Sequence, residues 1–482
     1  MTDLAVLTPP DDTRPPNNSP AAALPLNPRE GAATVALAPD RSRSAALVHG
    51  QLSRTILTVA IPAVASTLLM TVFGSADAFW VGRFVGPQGL AAVSTALFWI
   101  WMVVAGGELV SVGLTAVASR RHGERLEDAA ARTAGDALVF ALVLATIVAV
   151  AGHLLVDRMF AVMDTPSAVT ALGRRYLSTY FLGTPFIFGF LVVDATFRAS
   201  GDTRTPFLLL AGAVVVGLVL HPVLLLGLGP APRLGIAGTA VATIITRGTA
   251  FVVGLVLLAR RRMIRCARIS LRTIGAIVRV GLPTAVTGVL FSAIYILLTR
   301  TTTLFGTPAL AALGVGHRVE SWTYMIGVGF GATAAAVVGQ NLGAHEVERA
   351  ERAGWIATAY ATAVGAVGFL LEFLLAYQFA ALFTTDPAVI AESAHYLRIA
   401  AISTLFSGAE LVLEGSLGGA GDTLPPMLTS TTITALRIPL AAWAAMHWGT
   451  AGIWWTISLT AIGRAVAMML LWRSGHWKKR SV

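Results

Sequence analysis

Charge is what this sequence has least of. Only 12% of its 482 residues are charged, where soluble domains carry about 25%. With 55% hydrophobic residues and a mean hydropathy of +0.73, the chain falls in the class of polytopic membrane proteins before any motif is read. Cysteine is nearly missing: Cys266 stands alone in a basic stretch, which excludes an intramolecular disulfide. Lysine is confined to Lys478 and Lys479. The rest of the basic charge is arginine, set in short gaps between apolar runs. That placement suits loops beside anionic headgroups, so the formal charge of +10 implies membrane lipids and not nucleic acid as a partner. No Gly-x-x-x-x-Gly-Lys-Ser/Thr loop is present, so ATP does not drive the chain directly. There is no His-Glu-x-x-His, no Gly-x-Ser-x-Gly and no cysteine pair. No polar reactive cluster gathers at one membrane face, so a membrane acyl or glycosyl transferase is a poor reading and the chain is not expected to be an enzyme.

What is present is long hydrophobic runs. A hydrocarbon core of about 30 Å needs roughly 20 residues of helix, and backbone polar groups in lipid must be paired within the segment. Twelve segments qualify, at 54–80, 88–118, 132–155, 173–199, 205–228, 234–260, 273–303, 308–339, 351–378, 392–418, 424–447 and 449–473. Residues 1–50 are rich in Pro, Ala, Asn and Ser. They lack the basic start and apolar core of a signal peptide, and the expectation is a disordered cytoplasmic tail.

The chain repeats itself. Phe197-Arg198-Ala199-Ser200-Gly201-Asp202-Thr203 closes one apolar run, and Gly418-Gly419-Ala420-Gly421-Asp422-Thr423 closes another; Gly201 and Gly421 are 220 residues apart, 421 less 201. The same shift carries Gly86 to Gly306, Gly123 to Gly343, Tyr176 to Tyr396 and Asp194 to Glu414. A repeat this long is two halves of one domain rather than a solenoid unit of roughly 20–50 residues. The expected fold is all-α: twelve transmembrane helices as two six-helix parallel repeats. The N-lobe is placed at 51–260, a basic cytoplasmic linker at 261–272, the C-lobe at 273–475 and a basic tail at 476–482. Arg120, Arg121, Arg125, Arg260, Arg261, Arg262, Arg349 and Arg352 fall on one side of the membrane, against Arg83, Arg158, Arg174, Arg175 and Arg233 on the other. Basic loops stay inside, so both termini are expected in the cytoplasm and the chain in the plasma (inner) membrane.

Polar residues within the apolar segments are the site candidates, because each costs about 2.5–3.5 kcal/mol on insertion scales and needs a cavity or a partner. Asp77, in Phe73-Gly74-Ser75-Ala76-Asp77-Ala78-Phe79-Trp80-Val81-Gly82, is the sharpest. It is either a proton carrier or a helix-end acid paired with Arg83. His221 precedes Pro222, which breaks a helical hydrogen bond and frees a carbonyl; the imidazole is either a titrating group or a backbone-bonded neighbour. Asp194 has Arg198 one turn later, the i,i+4 ion pair that explains it most simply. Glu410 and Glu414 lie one turn apart, with Arg437 on the next segment to neutralise one of them or a cation to join the pair. Glu108 and Glu320 are further intramembrane candidates; Glu372 is placed at an outer interface. The Gly-Asp-Thr turns read as structural, with Gly for the turn, Asp as cap and Pro in the first helical turn.

Four features together resemble the multidrug and toxic compound extrusion (MATE) family. They are Ile61-Pro62 followed by Asp77-Ala78-Phe79-Trp80-Val81-Gly82, the Gly201-Asp202-Thr203 turn, Gly339-Gln340-Asn341-Leu342-Gly343-Ala344, and the paired six-helix halves. The resemblance covers roughly 50–475. It implies a cation-coupled antiporter that exports amphipathic, often cationic, drugs by alternating access, with no cofactor beyond an H⁺ or Na⁺ gradient. The expected state is a monomer. By that likeness Asp77 is the aspartate of the N-lobe cation site and Thr239 lines the same pocket. The family's Asn-x-x-x-Asp-Pro is here Gly217-Leu218-Val219-Leu220-His221-Pro222, a change that favours protons over Na⁺ because imidazole is a poor Na⁺ ligand. The resemblance also implies a C-lobe site in one branch, to which Glu410 or Glu414 supplies the tenth-segment acid while the seventh segment has Tyr295 and no acid. The substrate cleft is assigned to Asp77, Phe79, Trp80, Tyr295 and Glu320. A lipid-linked oligosaccharide flippase of the wider superfamily is the competing reading, weakened by the scarcity of basic residues inside the helices.

Overall fold

A computed structural model describes residues 47–480, apart from 163–166, 266–268 and 385. Cys266 and residues 1–46 of the expected tail lie outside the described residues. Every described element is helical. The helices are α1 Leu52–Phe84, α2 Pro87–Gly123, α3 Glu127–Val162, α4 Ser167–Leu182, α5 Thr184–Ala199, α6 Arg204–Leu226, α7 Ile236–Arg260, α8 Leu271–Thr303, α9 Thr307–Gly343, α10 Val347–Leu374, α11 Ala376–Ala381, α12 Pro387–Gly419 and α13 Leu424–Ser474, with a last 3₁₀ turn at His476–Lys479.

Ten of these helices are individually long and apolar enough to cross a membrane, and α4 with α5 makes one more span bent by 50°. The bend falls at Gly183, followed by Pro185 in the first turn of α5; proline brings no N–H to continue the ladder. The 51 residues of α13 would run about 76 Å at 1.5 Å per residue, far more than one crossing. Gly449 divides it, with φ 59° and ψ −143°. Gly235, at the turn between α6 and α7, has φ 59° and ψ −142°. The molecule is therefore two six-helix repeats, and the twelve apolar segments of the sequence are its twelve crossings.

The repeat recurs in conformation. Gly86 at φ 89° and Gly306 at φ 87° both precede a helix with proline in its first turn, and Gly201 at φ 89° has its counterpart in Gly421 at φ 81°. In the first Gly-Asp-Thr turn, Asp202 accepts hydrogen bonds from the Thr205 backbone N–H at 3.1 Å and from the Thr205 hydroxyl at 2.6 Å, and pairs with Arg261 at 2.8 Å. In the second, Asp422 pairs with Arg480 at 3.0 Å. The Thr203 hydroxyl donates to the Val59 carbonyl and the Thr423 hydroxyl to the Val280 carbonyl, at 2.8 and 2.7 Å. Each turn thus ties the end of one helix to the first helix of its own half.

The two halves touch closely at the arginine-rich end. A Cβ on Gly123 would collide with the Gln340 carbonyl, and a Cβ on Gly343 with the Arg120 carbonyl. Those four residues are related by the same 220-residue shift, 340 less 120 and 343 less 123, so one contact is the two-fold image of the other. Leu47 and Val48 are buried at this end. Asn341 donates to the Leu47 carbonyl and Arg349 to the Gly50 carbonyl, so residues 47–50, placed in the tail by the sequence boundary at 51, pack against the second half.

Candidate functional site

Asp77 sits on α1 and is 8% exposed. The Tyr176 hydroxyl, from α4, donates to its Oδ2 at 3.0 Å. Thr239, from α7, lies beside the same carboxylate. His221, from α6, is fully buried, with Nδ1 4.0 Å from Asp77 Oδ1. That gap is too long for a hydrogen bond, and neither ring nitrogen of His221 nor Asp77 Oδ1 has a hydrogen-bond partner among the described residues. Phe73 packs against the imidazole at 5.0 Å with the rings tilted by 51°; it reaches there because residue 217 is glycine, whose Cβ would overlap the Phe73 ring. Arg83, the sequence alternative for Asp77, is not its partner. Four helices of one half thus converge on one carboxylate, and among the described residues no arginine or lysine touches it.

Phe79 is exposed and packs edge-on against Trp80 at 5.2 Å, which stacks on Phe84 at 5.7 Å. Asp194 is held by Arg198 at 2.8 Å, as its spacing suggests, and Arg198 also reaches the Ser111 hydroxyl at 3.3 Å. Glu108 lies next to both.

The second half distributes its acids differently. The Tyr396 hydroxyl donates to Glu320 Oε2 at 2.9 Å, and the Thr404 hydroxyl to Glu372 Oε2 at 2.7 Å. Glu372 is buried, not at an outer interface, because α12 packs over it and brings Thr404. Arg437 does not neutralise the α12 acids directly. Its guanidinium donates to the Thr460 hydroxyl and the Tyr295 hydroxyl, both at 2.8 Å, and to the Ile457 carbonyl at 3.3 Å. Glu410 instead pairs with Arg464 from the second crossing of α13, at 3.3 Å. Glu414 neighbours both. Tyr295 joins His317 at 4.9 Å. Sequence reading placed Asp77, His221 and Thr239 together and missed three partners: Tyr176, Tyr396 and Arg464. The two tyrosines were visible as a pair in the repeat register. Arg464 had no counterpart there to draw attention to it.

The intramembrane acids therefore fall into two kinds. Asp194 and Glu410 are paired with arginine, and Glu108 and Glu414 neighbour the same cations. Asp77, Glu320 and Glu372 are hydrogen-bonded by hydroxyls alone. No group of three or more His, Cys, Asp or Glu suited to a metal occurs among the described residues.

Twelve crossings in two like halves, with polar side chains turned inward, are the architecture of a membrane transporter. The MatE family model matches residues 62–223 and 283–443, one stretch in each half, and the chain belongs to that family of multidrug efflux transporters. It is 28% identical over 438 residues to the multidrug resistance protein NorM of Burkholderia vietnamiensis, covering 88% of this chain and 94% of that one. It is 23% identical over 437 residues to the FAD transporter of Shewanella oneidensis, covering 88% and 96%. Among solved structures it resembles an outward-facing multidrug resistance MATE family transporter of the MOP superfamily, with TM-score 0.83, 21% identity, and coverage of 90% of this chain and 98% of that chain.

Proposed function

We propose that this chain is a proton-coupled antiporter that exports amphipathic, often cationic, compounds by alternating access, with Asp77 as the coupling carboxylate. The observation that carries the reading is the Asp77 environment: a buried carboxylate among Tyr176, Thr239 and His221, with no arginine or lysine in contact among the described residues. An ionised carboxylate in that setting is an uncompensated buried charge, which costs several kcal/mol. A proton, taken by the carboxylate or by the facing imidazole, removes the penalty. His221 fills a wall of the pocket with a group that binds protons and not alkali cations.

In this scheme the proton and the exported compound favour different states of the same half, which is the whole requirement for exchange. Protonation of Asp77 from outside loosens the hold on the compound, and it leaves outward. The exposed ring of Phe79 and its neighbour Trp80 offer faces for flat cations, and Tyr295 and Glu320 line the opposing half. The end closed by Gly123 and Gly343 carries Arg120, Arg121, Arg349 and Arg352, so it is assigned to the cytoplasm, with both termini on that side.

The test is ethidium efflux in proteoliposomes given either a proton gradient or a sodium gradient. The proton gradient alone should drive efflux and the sodium gradient alone should not; the reverse result sinks the proton reading, and no efflux under either sinks multidrug export and raises lipid flipping as the next assay. His221→Ala is expected to slow proton-driven efflux by about 10-fold, within the roughly 1–3 kcal/mol of a typical coupling energy. An unchanged rate and pH profile in that variant would remove the imidazole from the mechanism.

A further inference from the structure

On α12, Glu410 and Glu414 are one helical turn apart, and a pair of intramembrane carboxylates needs a cation or a proton between them. In the first half, the residue matching Glu414 is Asp194, whose arginine comes from its own helix at position 198. The matching position in the second half, 198 plus 220, is Gly418. The helix has lost its own counter-ion.

Arg464 arrives from α13 instead. Its Nε lies 3.3 Å from Glu410 Oε1, and the two side chains are 11% and 8% exposed. One terminal nitrogen reaches the Thr434 hydroxyl at 3.4 Å, and the guanidinium lies over the Phe291 ring at 5.6 Å. Glu414 and Tyr324 face the same cation. The other buried arginine, Arg437, spends its donors on Thr460, Tyr295 and a backbone carbonyl, and acts on Glu410 only from a distance.

We propose that the Arg464 guanidinium is a tethered cation that permanently fills the Glu410/Glu414 carboxylate pair and so shuts alkali cations out of the second half. Guanidinium stays protonated at any physiological pH, so unlike a diffusible ion it neither leaves nor titrates. Without it, the pair is a cavity lined by two carboxylates and the hydroxyls of Thr434 and Tyr324. Such a hard oxygen set suits a hard cation. The consequence for coupling rests on the antiporter reading above, but the occupancy itself is a matter of binding and is tested without transport.

The experiment compares melting temperatures of the purified full chain in sodium chloride and in choline chloride at equal ionic strength. Ligand binding to the folded state raises the melting point, increasingly so as the ligand concentration exceeds its Kd. Wild type and Arg464→Lys, which keeps a tethered cation, should show no sodium-specific shift. Arg464→Ala should gain a rise of a few degrees that grows with sodium concentration, and Glu410→Gln combined with Arg464→Ala should lose it again. A sodium-specific shift in wild type that Glu410→Gln removes overturns the proposal. So does an Arg464→Ala protein that melts cooperatively with no sodium response. Where Arg464→Ala does not fold, Glu410→Gln with Glu414→Gln must lower the melting point more than the same pair combined with Arg464→Met, because only the former strands a buried guanidinium; equal losses overturn the proposal. Dye efflux by wild type reports on the antiporter reading separately.

Discussion

Asp77→Asn is expected to reduce proton-driven efflux to the level of empty vesicles while leaving the protein folded. Asparagine matches aspartate in size, and its side-chain oxygen still accepts the Tyr176 hydrogen bond seen at 3.0 Å. What it cannot do is take up and release a proton. His221 then faces a neutral amide, so protonation no longer relieves a buried carboxylate charge and loses its preference between the two conformations; a ligand without differential affinity shifts nothing. The melting temperature should hold or rise, since a buried carboxylate with no cation in contact has been replaced by a neutral amide. Flux and stability therefore move in different directions, which separates a coupling role from a structural one. Residual proton-driven efflux in Asp77→Asn would direct attention to Glu320 and Glu372, the other acids bonded only by hydroxyls.

Valine at Gly123 or Gly343 is expected to have the second large effect. At both positions the nearest obstacle is a backbone carbonyl of the opposite half, Gln340 in one case and Arg120 in the other. A backbone group cannot swing aside as a flexible side chain does, so the two helix ends must separate. Overpacking of this kind costs about 1–3 kcal/mol, and here it acts on the contact that closes the arginine-rich end. Each single variant should melt several degrees lower and transport poorly. The double variant should be little worse than either single one, because the two contacts are images across one approximate two-fold axis and the first substitution already opens both. Gly212→Ala is the control: nothing lies within 4 Å of a Cβ there, and a helical Gly→Ala exchange is stabilising by roughly 0.5–1 kcal/mol. Full additivity in the double variant would show that the two glycines act at independent contacts.

Much of this was legible in the sequence because lipid simplifies the problem. Runs of apolar residues have one backbone solution in hydrocarbon, so length and hydropathy alone place helices. Duplication then adds what composition cannot: a single register relating Gly86 to Gly306 and Gly201 to Gly421, which recurs as matched left-handed glycine conformations. Asp77 was found for the same reason. A carboxylate is conspicuous where every neighbour is apolar, and the motif around it carries the family resemblance. The break at Gly183 and the packing of residues 47–50 against the second half were not legible, since both depend on what lies across from them.

The pairing of charges was beyond the sequence altogether. Arg437 and Arg464 are both arginines in apolar surroundings near helices that face the α12 acids, and spacing gives no way to assign them. The sequence reading offered Arg437 for one of Glu410 and Glu414. The fold instead turns Arg437 toward Tyr295 and Thr460 and swings the next crossing of α13 round so that Arg464 meets Glu410. Likewise Tyr176, 99 residues from Asp77, becomes its hydrogen-bond donor only because α4 lies against the pocket. Hydropathy, periodicity and duplication are local or register properties and are written along the chain. Which arginine, hydroxyl or imidazole compensates which carboxylate is decided by distances of a few ångströms between helices, where the Coulomb energy and the cost of an unmet hydrogen bond change most steeply, and those distances exist only once the helices have packed.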